Sequence, residues 1–185
     1  MQKTINQVAL KWGLILSAYS VASTVLTYQF STPGEMSAMS IVLGLLGLAV
    51  WVIVPIMAIR EFKQSTYGYI SLGQGFRIGF FALLISSAIG GIFSYIYAAF
   101  INPDLSETLV NATLTQLESN PAVMDSQIEM FEKLYGAMFS PLGLMLNSLI
   151  GGAFMGAILA LIVAAIMKKD APIDGGGIED IGTDR

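Results

Sequence analysis

Four stretches of this chain, residues 12–30, 36–59, 78–100 and 142–167, contain no charged side chain. Each is near or above the ~20 residues that a helix needs to cross a ~30 Å hydrocarbon core. Inside lipid the backbone has no water to bond with, so a spanning segment satisfies its polar groups as a helix. The expected fold is therefore an all-α integral membrane protein, a four-transmembrane-helix bundle. Ionisable side chains at membrane depth mark proton relays, ion paths and substrate sites. These stretches hold none, so the spans point to no particular chemistry.

Composition supports the same solvent. Hydrophobic residues make up 55% of 185 and charged residues 12%, where a soluble domain carries ~25% charged. Cysteine and histidine are both absent. That removes thiol nucleophiles, disulfides, iron–sulfur clusters, cysteine or histidine zinc sites and the commonest general base near neutral pH. The remaining hydroxyls and carboxylates form no paired constellation, so neither a cofactor nor enzymatic activity is expected. The net charge of −4 gives no reason to expect nucleic acid as a partner. Lys3 and Lys11, with Ala22 and Ser23, are the parts of a signal peptide. The apolar run nevertheless continues to Phe30, past the ~7–15 residues of a signal core, and is read as an uncleaved first span.

The breaker cluster Ser31-Thr32-Pro33-Gly34-Glu35 joins spans one and two as a tight antiparallel connection. Pro55 falls inside the second span, where it removes one backbone bond and is expected to kink the last turns. Ser71-Leu72-Gly73-Gln74 has the spacing of a capping box, so the third helix is expected to begin at Leu72. From there to Phe100 is ~43 Å at ~1.5 Å per residue, which implies protrusion or tilt. The glycines of Gly73-Gln74-Gly75-Phe76-Arg77-Ile78-Gly79 are spaced wrongly for a phosphate-binding loop and follow no strand. Close helix packing accounts for them better.

Residues 101–141 form the largest segment between spans. Asn102-Pro103-Asp104 carries the signals of a helix start, and Asn120-Pro121 divides that helix from a second. In the second, Met124, Ile128, Phe131, Tyr135 and Met138 recur every three or four residues as one apolar stripe. Two fates stand for it: packing within the protein, or an interaction face for a partner. The expected domains are a four-span membrane domain over 1–169 and a disordered acidic cytoplasmic tail over 170–185, rich in glycine and acids.

Orientation follows from the bases. Lys3, Lys11, Arg60, Lys63, Arg77, Lys168 and Lys169 flank one side of a four-span arrangement, and Lys133 stands alone on the other. The positive-inside rule makes the first side cytoplasmic, with both termini inside and 101–141 as a helical periplasmic loop between spans three and four. Trp12 falls at the inner boundary, while Tyr28, Tyr95, Tyr97 and Tyr135 gather toward the outer one.

Span four carries Ser148, Gly152, Gly156, Ala160 and Ala164, a small residue every fourth position. Such a stripe lets two helices approach at van der Waals distance. Ser86, Ser87, Gly90, Gly91, Gly75 and Gly79 on span three, with Gly13 and Ser17 on span one, offer matching surfaces. The stripe suits a tightly packed bundle or, failing that, a homodimer seam.

The segment 68–79 that opens the third helix, then Tyr95-Ile96-Tyr97, Phe100-Ile101-Asn102-Pro103-Asp104, Ser140-Pro141 and the closing Lys168-Lys169 occur in an order that resembles a known family. It is the family of small bacterial inner-membrane proteins classed as domain of unknown function 4199. The resemblance covers about 12–169 and implies a four-span protein of the bacterial inner membrane, with no activity, ligand or catalytic residue attached. The expected function is a non-enzymatic structural or interaction component, its partners the lipid bilayer and a membrane protein or further copies of itself. The alternative is a small transporter or channel for a neutral or hydrophobic solute, passing between spans three and four near Pro55.

Overall fold

The computed structural model describes residues 4–30, 38–119 and 124–169. They form six α-helices: α1 (Ile5–Phe30), α2 (Ala38–Ser65), α3 (Leu72–Ile96), α4 (Leu105–Glu118), α5 (Asp125–Phe139) and α6 (Pro141–Met167). Four of these, α1, α2, α3 and α6, are long and apolar enough to cross a membrane. The connection at 31–35, the break at Asn120-Pro121 and the acidic tail lie outside the described residues.

The helices extend beyond the charge-free stretches for local reasons. At the start of α1, Thr4 and Gln7 form a reciprocal cap, with Gln7 N–H donating to Thr4 Oγ1 (3.3 Å) and Thr4 N–H to Gln7 Oε1 (3.1 Å). Helix α2 runs through Arg60, Glu61 and Lys63 to Ser65, because long charged side chains can leave the apolar zone without breaking the helix. Pro55 lies inside α2 and is buried. Helix α3 begins at Leu72 behind the expected capping box of Ser71 and Gln74. Ser140 caps α6 by accepting from Gly143 N–H, with Pro141 in the first turn.

Asn102 requires a correction. It does not cap α4; α3 instead widens into a π turn over Tyr97–Ile101, and Asn102 N–H donates to Tyr97 C=O (2.8 Å) to close it. The backbone of Asn102 is already committed to ending that turn. Helix α4 therefore starts only at Leu105, with Asp104 at its cap position.

Helix α3 is central. Its main neighbour is antiparallel α6, followed by α1, while α2 packs on α1 and α3 and only lightly on α6. The core runs along these contacts. Toward the end that carries the α2–α3 connection, Val8, Ala58, Ile59, Ile70, Ile78, Val163 and Ala164 cluster. At mid-depth Leu16, Val54 and Leu83 pack with Trp12 and Trp51 around them. At the far end Tyr97, Ala98 and Leu105 receive Tyr28, Phe93, Leu109 and Leu144. The α2–α3 connection is tied to the end of α6 by paired bonds between Ile70 and Lys169 (2.9 and 3.1 Å).

Candidate functional site

The small-residue stripe of α6 lies against α3 along its whole length. A Cβ built on Gly75 would stand 3.1 Å from Ala164 Cβ, and one on Gly79 would stand 3.1 Å from Ala160 Cβ. One on Gly156 would meet Leu83 Cβ at 3.2 Å, and one on Gly152 would collide with the Ser87 side chain. Ser148 completes the series, its hydroxyl donating to Ser87 C=O (3.1 Å). Helices this close gain dispersion contacts that lipid tails cannot match. The stripe is thus occupied from within the chain. Gly75 and Gly79 of the loop-like motif are part of this seam, and neither is free to cradle a phosphate.

Among the described residues the buried serines 17, 86 and 87 are all engaged, whereas Ser106 Oγ on α4 is buried without a hydrogen-bond partner. Ser17 Oγ donates to Gly13 C=O (2.7 Å) and Ser87 Oγ to Leu83 C=O (3.0 Å). Ser86 and Ser20 bond to each other at 3.1 Å. Hydroxyls bonded along their own helices hold structure; no base stands beside them to raise their nucleophilicity. Among the described residues no group of three or more Asp or Glu converges as a metal ion requires.

At the termini end, Lys11, Trp12 and Glu61 form a polar cluster between α1 and α2. Lys11 Nζ lies 2.9 Å from Glu61 Oε2, Trp12 Nε1 donates to the same oxygen at 2.7 Å, and Lys11 sits 5.4 Å over the Trp12 ring. Glu61 is only 14% exposed, so the two donors offset its loss of water. Sequence reasoning missed this cluster. Trp12 signalled the boundary, but nothing in the spacing reveals that Glu61 comes to meet it. A cavity of about 400 Å³ opens beside it, lined by Lys11, Trp12, Met57, Arg60, Glu61 and Gln64.

At the opposite end α5 packs on α4 and on the start of α6, and Asn147 Nδ2 donates to Met138 C=O (2.9 Å). The five stripe residues are treated unequally. Ile128, Phe131 and Tyr135 are half-buried, whereas Met124 is 69% exposed and Met138 37%. Phe131, Tyr135 and Phe139 form a run of stacked rings at 6.0 and 5.8 Å. Beside the stripe, Met130 (59% exposed) and Leu134 (49%) align with Met138 as a second apolar row. The sequence contained that row at a spacing of four, but a stripe drawn three or four residues apart through Met124 passes it by. The lone base Lys133 pairs with Glu129 at 2.9 Å on the polar side.

These features define a class: an all-α integral membrane protein, a four-span bundle zipped by small residues, with a helical pair between spans three and four. Residues 11–169 match the family described as Protein of unknown function (DUF4199), and the chain belongs to that family. No curated protein and no solved structure matches it at a significant level.

Proposed function

We propose that this protein is a non-enzymatic structural or interaction component of the bacterial inner membrane, with both termini cytoplasmic and 101–141 periplasmic. The observation that carries the reading is the contrast between the two parts of the fold. The α3–α6 seam is filled by its own side chains, while α5 keeps the apolar row Met130, Leu134 and Met138 uncovered. An apolar row on a polar-backed helix suits contact with a membrane-protein partner.

The experiment is affinity purification in mild detergent with two variants. Phe131→Asp forces a charge among half-buried rings and should destabilise the protein by ~1–3 kcal/mol. Met130→Asp, on the open row, should leave the melting temperature unchanged and remove a stoichiometric co-purifying protein. A partner that remains bound to Met130→Asp would refute this surface.

The transporter reading draws on a different observation. Its path between spans three and four meets the closest contacts in the bundle, but a groove of about 440 Å³ runs between α2 and α6, lined by Gly44, Gly47, Trp51, Gly151, Gly152 and Met155 among others. Retention of a small solute through purification, with no protein partner, would favour it.

Orientation rests on the seven flanking bases against Lys133. The chain has no cysteine, so single cysteines report cleanly. Ser119→Cys should react with a membrane-impermeant maleimide in intact spheroplasts, and Gly73→Cys only after lysis. Labelling of Gly73→Cys alone in intact cells would invert the orientation.

A further inference from the structure

The last turns of α2 present one face of graded chemistry. Ile56, Arg60, Lys63 and Tyr67 follow one another at spacings of four, three and four, so they share a side of the helix and its exit turn. Together with Gln64, Gly68 and Met167 they line a cavity of about 500 Å³ beside the end of α6. The order runs from aliphatic, on the membrane side, through two cations to an aromatic ring.

Two details separate this cavity from an ordinary interfacial surface. The first is the state of the cations. Lys63 Nζ donates to Met167 C=O (3.0 Å), which counters the partial negative charge at the end of α6. Arg60 is exposed and has no hydrogen bond or ion pair with any described residue; it borders both this cavity and the one beside Glu61, and its planar fork of donors is uncommitted.

The second is Tyr67. It takes a left-handed backbone conformation, φ 53°, followed by Gly68 at φ 86°. Glycine adopts that region freely, whereas a bulky residue pays a steric penalty there. The turn closes the end of α2, with Gly68 N–H donating to Lys63 C=O (2.8 Å), and it leaves the Tyr67 ring 90% exposed. The backbone bond thereby fixes where the exposed ring stands, at the rim of the cavity. An aromatic ring with a polar tip is suited to the headgroup level of a bilayer.

We propose that this cavity is a binding site for an anionic diacyl lipid. Arg60 takes the phosphate, with Gln64 beside it, Tyr67 covers the headgroup, and Ile56 and Met167 receive the upper acyl chain. A single negative charge complements the one uncommitted cation, and the apolar floor at the membrane side selects a lipid over a soluble anion. Basic recesses between spans at a membrane face are suited to such headgroups. The inference requires only that this end of the bundle meets a membrane surface, and it holds in either orientation.

The test is native mass spectrometry of the full chain released from detergent, titrated with phosphatidylglycerol and, separately, phosphatidylcholine. Phosphatidylglycerol should bind in preference. Arg60→Gln should weaken it about fivefold, the share of one basic residue near a membrane surface, and bring it level with phosphatidylcholine. Arg77→Gln, at the same end but outside the cavity, should bind as the parent does. Tyr67→Gly gives a readout that survives any folding defect in the arginine variant. It should raise the melting temperature by relieving the backbone and still lower phosphatidylglycerol retention. Equal binding of the two lipids, or unchanged retention in both Arg60→Gln and Tyr67→Gly, would overturn the proposal. Displacement of the lipid by millimolar inorganic phosphate would also overturn it, by making the site one for a soluble anion.

Discussion

Gly152→Leu is expected to abolish the stable fold, while Gly151→Leu, one residue away, leaves the melting temperature where it was. The two glycines differ in what surrounds them. A side chain at Gly151 enters open space, whereas the first carbon added at Gly152 already overlaps Ser87 Oγ and Cβ. Ser87 cannot move aside. Its Cβ is fixed to the α3 backbone, its hydroxyl donates to Leu83 C=O, and its own carbonyl accepts from Ser148. Relief therefore demands that α3 and α6 separate, which also loosens the contacts at Gly79–Ala160 and Gly75–Ala164. Overpacking ordinarily costs ~1–3 kcal/mol, and a collision with a bonded, backbone-fixed atom belongs at or above the top of that range. Gly156→Leu should fall between the two, since its nearest neighbour, Leu83 Cβ, stands at 3.2 Å. Thermal unfolding in detergent, followed by circular dichroism, measures all three. Equal loss in the Gly151 and Gly152 variants would mean that the seam is not where stability resides.

That seam was legible in the sequence because it is periodic. Five small residues four apart on one helix state that a second backbone comes close, whatever the second backbone is. Small residues on both α3 and α1 left the partner open in the sequence, and the close approaches at Gly75, Gly79 and Gly91 identify it as α3. The spans and the Ser71 cap were legible for similar reasons: each depends on residues within one or two turns of each other. The Thr4–Gln7 cap was equally local, and Thr-x-x-Gln was there to be read ahead of the apolar run.

What the sequence did not disclose depends on contacts across long separations or on backbone geometry. Glu61 reads as one more charge at a helix end until α1 brings Lys11 and Trp12 to it across 50 and 49 residues. The π turn at Tyr97–Ile101 has no composition of its own, and it displaced the helix start that Asn102-Pro103-Asp104 signals. The left-handed Tyr67 is of the same kind: Tyr-Gly suggests a turn, but the glycine, not the tyrosine, is the residue expected to take positive φ. On α5 the residues of one apolar face part company, Ile128, Phe131 and Tyr135 half-buried and Met124 and Met138 exposed. Half of the apolar arc found cover and the other half did not, and a pattern of spacings cannot distinguish the halves.

The π turn sets up the second large effect. Tyr97 is buried at the far end of the bundle, with the Tyr28 ring 5.1 Å and the Phe93 ring 6.0 Å from its own. It packs with Ala98 and Leu105, so the same side chain joins α1, α3 and the first turn of α4. Tyr97→Ala would leave a cavity where these elements converge and should cost ~3–5 kcal/mol, as for other large aromatic truncations in a core. Tyr97→Phe keeps the ring and should cost under ~1.5 kcal/mol. The loss should also be visible locally. Lys133 is the single trypsin site within 101–141, and in the parent it sits in helix α5, paired to Glu129. Cleavage needs that stretch to open. If α4 is anchored through Leu105 to Tyr97, cutting at Lys133 should accelerate in Tyr97→Ala well below its melting temperature and stay slow in Tyr97→Phe. A fall in melting temperature without faster cleavage would show instead that the contacts of α5 with α6 hold the α4–α5 pair, and that Tyr97 serves only the spans.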